Sequence, residues 1–192
     1  MALIDLPLAA FLDRLASADP TPGGGSAAAL GGALAAGLGE MVSALTLGKP
    51  KFAAVDAEAR AIAGRLGRCR QALQTLIDED AAAYEALREA FKTPKDASDR
   101  AARIAQAAAL AAAVPLEVVA FARRTRAELS RLATIGNPNL QSDVQAGLAL
   151  SYAAMQAAAA NVRANLPFLA EADASRVRSA LQDLLRDSDE VG

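Results

Sequence analysis

The chain has 192 residues, enough for one ordinary domain, and 53% of them are hydrophobic, ample for a single core. Its 20 Lys and Arg stand against 22 Asp and Glu, a net charge of -2, so no positive surplus points to nucleic acid or an anionic membrane as a partner. With no histidine and one cysteine, Cys69, it has no His-based metal site, no Ser-His-Asp or Cys-His nucleophile and no internal disulfide, and a reducing cytoplasm is the expected compartment.

The opening "MALIDLPLAAFLDRLAS" lacks the basic and apolar regions of a signal peptide, and none is expected. Asp5 and Pro7 open a short first helix with Leu8, Phe11, Leu12 and Leu15 on one face, ending before Pro20-Thr21-Pro22. "GGGS", 23–26, then starts a second helix over 26–47 that stops at Gly48. Its length suits a membrane span, but it holds Glu40 and four glycines, so it reads as a buried helix of a bundle. Gly23-x-Gly25-x-x-Ala28 follows a Pro-x-Pro turn where a dinucleotide fingerprint requires a strand, and no Gly-Lys-Ser/Thr makes it a P-loop. What remains is either a plain turn or a set of amides open to an anion or carbonyl, with Ser26 as a cap. Ala28, Gly32, Ala36 and Glu40 form one stripe of this helix, and Ala29, Ala33 and Gly37 another. Stripes so short in side chain allow close packing, within the chain or against a second copy. Lys49 and Lys51 flank Pro50, as a solvated pair or as a site for an anionic tail.

A long third helix is expected over 53–91. Its stripe runs Val55, Ala59, Ile62, Leu66, Cys69, Leu73, Leu76, Tyr84, Leu87 and Phe91, with one vacancy filled by Asp80. Asp78 and Glu79 lie about 160° and 100° away around the helix. Asp80 is therefore either a core carboxylate that caps or pairs, or a desolvated acid that moves protons in place of histidine. A fourth helix begins near Ser98, and Pro115 ends or kinks it and starts a fifth that stops before Gly136. "GNPN", 136–139, leads to a sixth over 142–166. Its opening "SDVQ" fits a capping box, with Ser142 as N-cap, Gln145 at N3 and Asp143 in the first turn. A last helix starts near Asp173. No segment alternates like a strand, so the expected fold is all-α, a bundle of about seven helices in one domain over 1–192.

Four blocks together, "PTPGGGSAAALGGALAAGLGEMVSALTLGKPKF", "LIDEDAAAYEALREAFKTPK", "AAAVPLEV" and "GNPNLQSDVQAGLAL", resemble in order and spacing the cyclodeaminase/cyclohydrolase family. That family comprises the cyclodeaminase domain of formiminotransferase-cyclodeaminase and stand-alone methenyltetrahydrofolate cyclohydrolases. The resemblance implies a homodimer that binds a tetrahydrofolate derivative as substrate near the dimer interface, with no metal or redox cofactor. It implies Asp80 as the catalytic carboxylate, Gly23, Gly24, Gly25 and Ser26 along the folate, and Asn137, Asn139, Ser142 and Asp143 as a far wall. Lys49 and Lys51 match a basic pair suited to the glutamate tail. "SDVQ" is closer to the bifunctional cyclodeaminases and the lack of a preceding transferase domain favours a cyclohydrolase, so both reactions stay open. So do a folate binder without turnover and a module that only dimerises.

Overall fold

The computed structural model describes residues 2–186. It contains six α-helices: α1 Leu8–Leu15, α2 Gly24–Ala44, α3 Asp56–Phe91, α4 Arg100–Ile135, α5 Gln141–Asn165 and α6 Glu171–Leu185. Short 3-10 turns at Leu3–Asp5, Pro50–Val55, Pro138–Leu140 and Leu166–Phe168 join or precede them, and no strand occurs among the described residues. Helices α2 to α5 form the bundle, and α2 packs against each of the other three.

The composition of α2 explains its central place. Ala29, Ala35 and Ala36 are fully buried, and a Cβ on Gly39 would lie 2.6 Å from Leu66 Cδ1. One on Gly32 would lie 3.1 Å from Leu73 Cδ1, so α3 approaches to a distance that only a residue without bulk allows. The small-residue stripes therefore serve packing inside the chain. Two core clusters result, one around Leu73, Ile77, Val118 and Val162, the other around Val42, Ile62, Leu66 and Leu132. The α3 stripe is buried from Ala59 to Leu76, whereas Tyr84 and Phe91 toward its far end are exposed.

Two expectations are corrected. Pro115 neither ends nor divides its helix, so the described residues hold six α-helices: α4 runs through it, and the proline is buried. A proline in mid-helix leaves the carbonyl four residues back without its N–H donor. Here that carbonyl, on Ala111, accepts a hydrogen bond from Asn165 Nδ2 of α5 at 2.8 Å, which removes much of the cost of continuing the helix. Ser142 is not an N-cap. The Asn137 side chain caps the preceding 3-10 turn by accepting from the Asn139 amide at 3.2 Å, and Pro138 begins helical geometry early enough that α5 already starts at Gln141.

Candidate active site

The turn before α2 is tied down from α1: Arg14 Nε donates to the carbonyl of buried Thr21 at 3.0 Å. The Thr21–Pro22 peptide is cis and Gly23 is extended. Beyond them Gly24 lies beside Asn161 of α5, and Gly25 and Ser26 lie against the middle of α3. There the Ser26 amide donates to Asp80 Oδ2 at 2.7 Å. The Ser26 hydroxyl, fully buried, lies 2.9 Å from both Asp80 Oδ2 and the Ile77 carbonyl. A hydroxyl has one proton. With Asp80 ionised it donates to Oδ2; with Asp80 protonated it can turn to Ile77 and accept from the carboxyl.

Burial pushes the Asp80 carboxyl above the usual aspartate range, and the Ser26 hydroxyl and amide partly offset it by favouring the charged form. Oδ1 receives no hydrogen bond among the described residues. It sits instead against the Gly25 backbone, where a Cβ would come 1.9 Å from it. Among the described residues the carboxylate is thus held through hydrogen bonds to one oxygen only.

Asp80 lines a cavity of about 180 Å³ between the glycine turn, α3, α4 and α5. Pro20, Thr21, Gly23, Gly24 and Gly25 form one side, Tyr84 lies one turn along α3, and Ala111, Asn161 and Asn165 close the other side. The cavity is smaller than the roughly 300–1,000 Å³ of a whole drug-sized ligand site, so it suits one reacting part of a larger molecule. Asn161, Asn165 and Tyr84 were missed as site residues in the sequence. The signal for the two asparagines was their i, i+4 pairing in "NVRAN", polar amides on an otherwise alanine-rich helix, and that for Tyr84 was its place four residues after Asp80 on the α3 stripe.

The cavity contains Gly23, Gly24, Gly25 and Asp80 together, with Ser26 behind the carboxylate rather than on the cavity wall. Asp78 and Glu79 face elsewhere. The Asp78 carboxylate accepts from the Leu3 and Ile4 amides at 2.5 and 3.3 Å, anchoring the N-terminal turn, and Glu79 is exposed. The other residues singled out from sequence lie at the far end of the bundle. The Asn137 amide donates to Thr46 Oγ1 at 3.0 Å and its Nδ2 to the Leu45 carbonyl, which docks Asn139, Ser142 and Asp143 beside the C-terminus of α2. Lys49 and Lys51 follow that same end, Lys51 over the Phe52 ring at 4.6 Å, and neither forms an ion pair among the described residues. Twenty-one residues of α2 separate the two ends, about 31 Å at 1.5 Å per residue. Among the described residues no three His, Cys, Asp or Glu side chains gather as a metal ligand set.

A family model described as formiminotransferase-cyclodeaminase matches residues 7–183. The chain belongs to this family. It is 38% identical over 159 residues to a methenyltetrahydrofolate cyclohydrolase of Methylorubrum extorquens, covering 81% of this chain and 76% of that protein. It is 32% identical over 192 residues to the formimidoyltransferase-cyclodeaminase of Sus scrofa, covering 97% of this chain but only 36% of that longer protein. In structure it is similar to the formiminotetrahydrofolate cyclodeaminase of Thermotoga maritima, with a TM-score of 0.90 and 30% identity, over 96% of this chain and 91% of the other. This family membership and the all-α bundle agree with the resemblance carried by the four sequence blocks.

Proposed function

We propose that the chain is a folate one-carbon enzyme acting on the carbon held between N5 and N10 of tetrahydrofolate, as a methenyltetrahydrofolate cyclohydrolase. The observation that carries this is a half-buried carboxylate, Asp80, tied through Oδ2 to Ser26 with Oδ1 left open beside a glycine-lined cavity. Water adds to the methenyl carbon as Asp80 accepts one of its protons. The carbon–N5 bond then breaks, N5 takes up a proton, and 10-formyltetrahydrofolate and one net proton leave. A carboxylate beside the cationic amidinium-like carbon also favours binding of the charged substrate in that orientation. Proton transfer and one negative charge are all the reaction asks, so no metal or redox cofactor is proposed.

A second reading, formiminotetrahydrofolate cyclodeaminase, is favoured by the likeness to the Thermotoga maritima enzyme. Starting from the protonated, amidinium form of the formimino group, Asp80 would accept the N10 proton and return it to the departing nitrogen, which leaves as ammonia while the cationic methenyl bridge forms.

A homodimer completes the proposal. Along α2, Leu34, Met41 and Leu45 are 54%, 38% and 44% exposed, and with partly buried Leu38 they form an apolar stripe at i, i+4, i+7, i+11. A two-fold axis near the middle of the stripe would set two α2 helices antiparallel and bring the Lys49, Lys51 and Asn139 end of one copy to the Asp80 end of the other. The small cavity would then be one part of a site finished by the second copy, with the lysines on the glutamate tail. The proposed compartment is the cytoplasm, consistent with the buried free thiol of Cys69.

The test is purified protein with methenyltetrahydrofolate and, separately, with formiminotetrahydrofolate, following bridge absorbance and ammonia release. Loss of the methenyl band without ammonia supports the cyclohydrolase, and ammonia release with gain of the band supports the cyclodeaminase. Binding with no turnover of either overturns the enzyme and leaves a folate-binding protein. No binding leaves only a helical dimerisation module.

A further inference from the structure

Pro115 and the asparagine it controls are absorbed by none of the roles above. The Ala111 carbonyl, deprived of its helical donor by Pro115, accepts from Asn165 Nδ2 at 2.8 Å, and the same Nδ2 donates to the Asn161 carbonyl at 3.1 Å. Carbonyls only accept, so both protons of the amide nitrogen are engaged and the amide cannot flip without setting its oxygen against two others. What Asn165 has left for the cavity is Oδ1, an acceptor of fixed orientation. Asn161 Nδ2 makes one such bond, to the Ala157 carbonyl at 2.9 Å. On the α5 wall of the cavity, opposite the Asp80 and glycine wall, Asn165 Oδ1 is therefore the oriented acceptor.

We propose that Asn165 is a specificity residue whose Oδ1 accepts an N–H of the bound pterin, and that Pro115 governs substrate binding through the Ala111 carbonyl that aims it. This rests on the folate reading above. It gives a buried mid-helix proline a use: a carbonyl taken out of the helical ladder becomes the anchor of a binding side chain on the neighbouring helix.

The experiment measures Kd for tetrahydrofolate by calorimetry, with KM and kcat on the turned-over substrate, for wild type, Asn165→Ala, Pro115→Ala and the double variant. Asn165→Ala is expected to raise Kd and KM about three- to tenfold with kcat little changed, the size of one net hydrogen bond. Pro115→Ala returns an N–H to Ala111, so it stays folded, and it is expected to raise Kd by releasing the asparagine. The double variant should bind no more weakly than Asn165→Ala, because Pro115 acts only through Asn165. Wild-type binding with unchanged Kd in either single variant, or additive losses in the double, overturns the inference alone. Failure of wild type to bind tetrahydrofolate overturns the folate reading, and this inference with it.

Discussion

Gly25 and Asp80 meet so closely that a methyl group on Gly25 would lie 1.9 Å from Oδ1 and 2.4 Å from Cγ of the carboxylate. The third glycine of "GGGS" is therefore where the backbone of α2 yields space to an acid on α3. Gly25→Ala is expected to fold, since the clash can be relieved by swinging the Asp80 side chain. That displacement removes the acid from its reacting position and costs roughly 10²-fold or more in kcat. Gly24→Ala is the comparison: the three atoms nearest its Cβ all belong to Asn161, at 3.1 to 3.7 Å, and none to Asp80, so its loss in kcat should be much the smaller. Equal losses in both variants would remove the special role of the Gly25 contact.

Asp80→Asn separates chemistry from stability. Burial raises the folded-state pKa of Asp80 above its unfolded value. Stability from the neutral carboxyl is then fully present below the unfolded value and lost as pH rises through the folded one. Asparagine keeps an oxygen to accept from the Ser26 amide and never ionises. The variant should therefore melt at or above wild type near neutral pH, with the advantage disappearing in acid, while turnover falls roughly 10²- to 10⁴-fold. A variant that melts well below wild type at neutral pH would make Asp80 a structural carboxylate.

Much of this arrangement is legible in the residue order. The helical stripe of α3 has one vacancy, and the acid filling it proved to be half-buried and pushed up in pKa, because a stripe position faces the core wherever the helix is straight. Asn161 and Asn165 were not legible in that way. Two asparagines on an alanine-rich helix can each satisfy an amide on the carbonyl one turn back, as both do here, and nothing local reports their distant neighbours, a glycine turn about 140 residues upstream and a carbonyl exposed by a proline on another helix. Pro115 misled for the same reason. Taken locally it stops a helix, and only a donor from α5 lets α4 continue. The site residues singled out from the resemblance divide between two ends of one chain, and no local pattern reports the length of α2 that lies between them.

Ser26→Ala tests how the carboxylate is held. The amide bond to Oδ2 remains and only the hydroxyl is lost, so the fold should survive at a cost of about 1 kcal/mol. The hydroxyl favours ionised Asp80; without it the proton is held more tightly and the folded pKa rises further. The acidic limb of the pH profile of kcat should therefore move to higher pH, with activity recovering in alkali. A uniform drop at every pH would mean that Ser26 serves packing alone.

The two ends of the bundle need each other only if a second copy joins them, and subunit mixing decides it. Leu34→Glu with Met41→Glu places charges on the exposed stripe of α2, where neither residue is part of the core. The variant should keep its helical circular dichroism, elute as a monomer and lose most turnover; an unchanged dimer would move the interface to another face. Asp80→Asn and Lys49→Glu/Lys51→Glu are each expected to be weakly active as pure dimers. In a mixed dimer, the intact Asp80 of one copy would face the intact lysines of the other. Unfolding and refolding the two together in equal amounts should form mixed dimers at half the population, each with one whole site, and restore about a quarter of wild-type activity. Recovery no greater than the sum of the two parents would place each site within a single chain, and the lysines at the far end would then have no part in it.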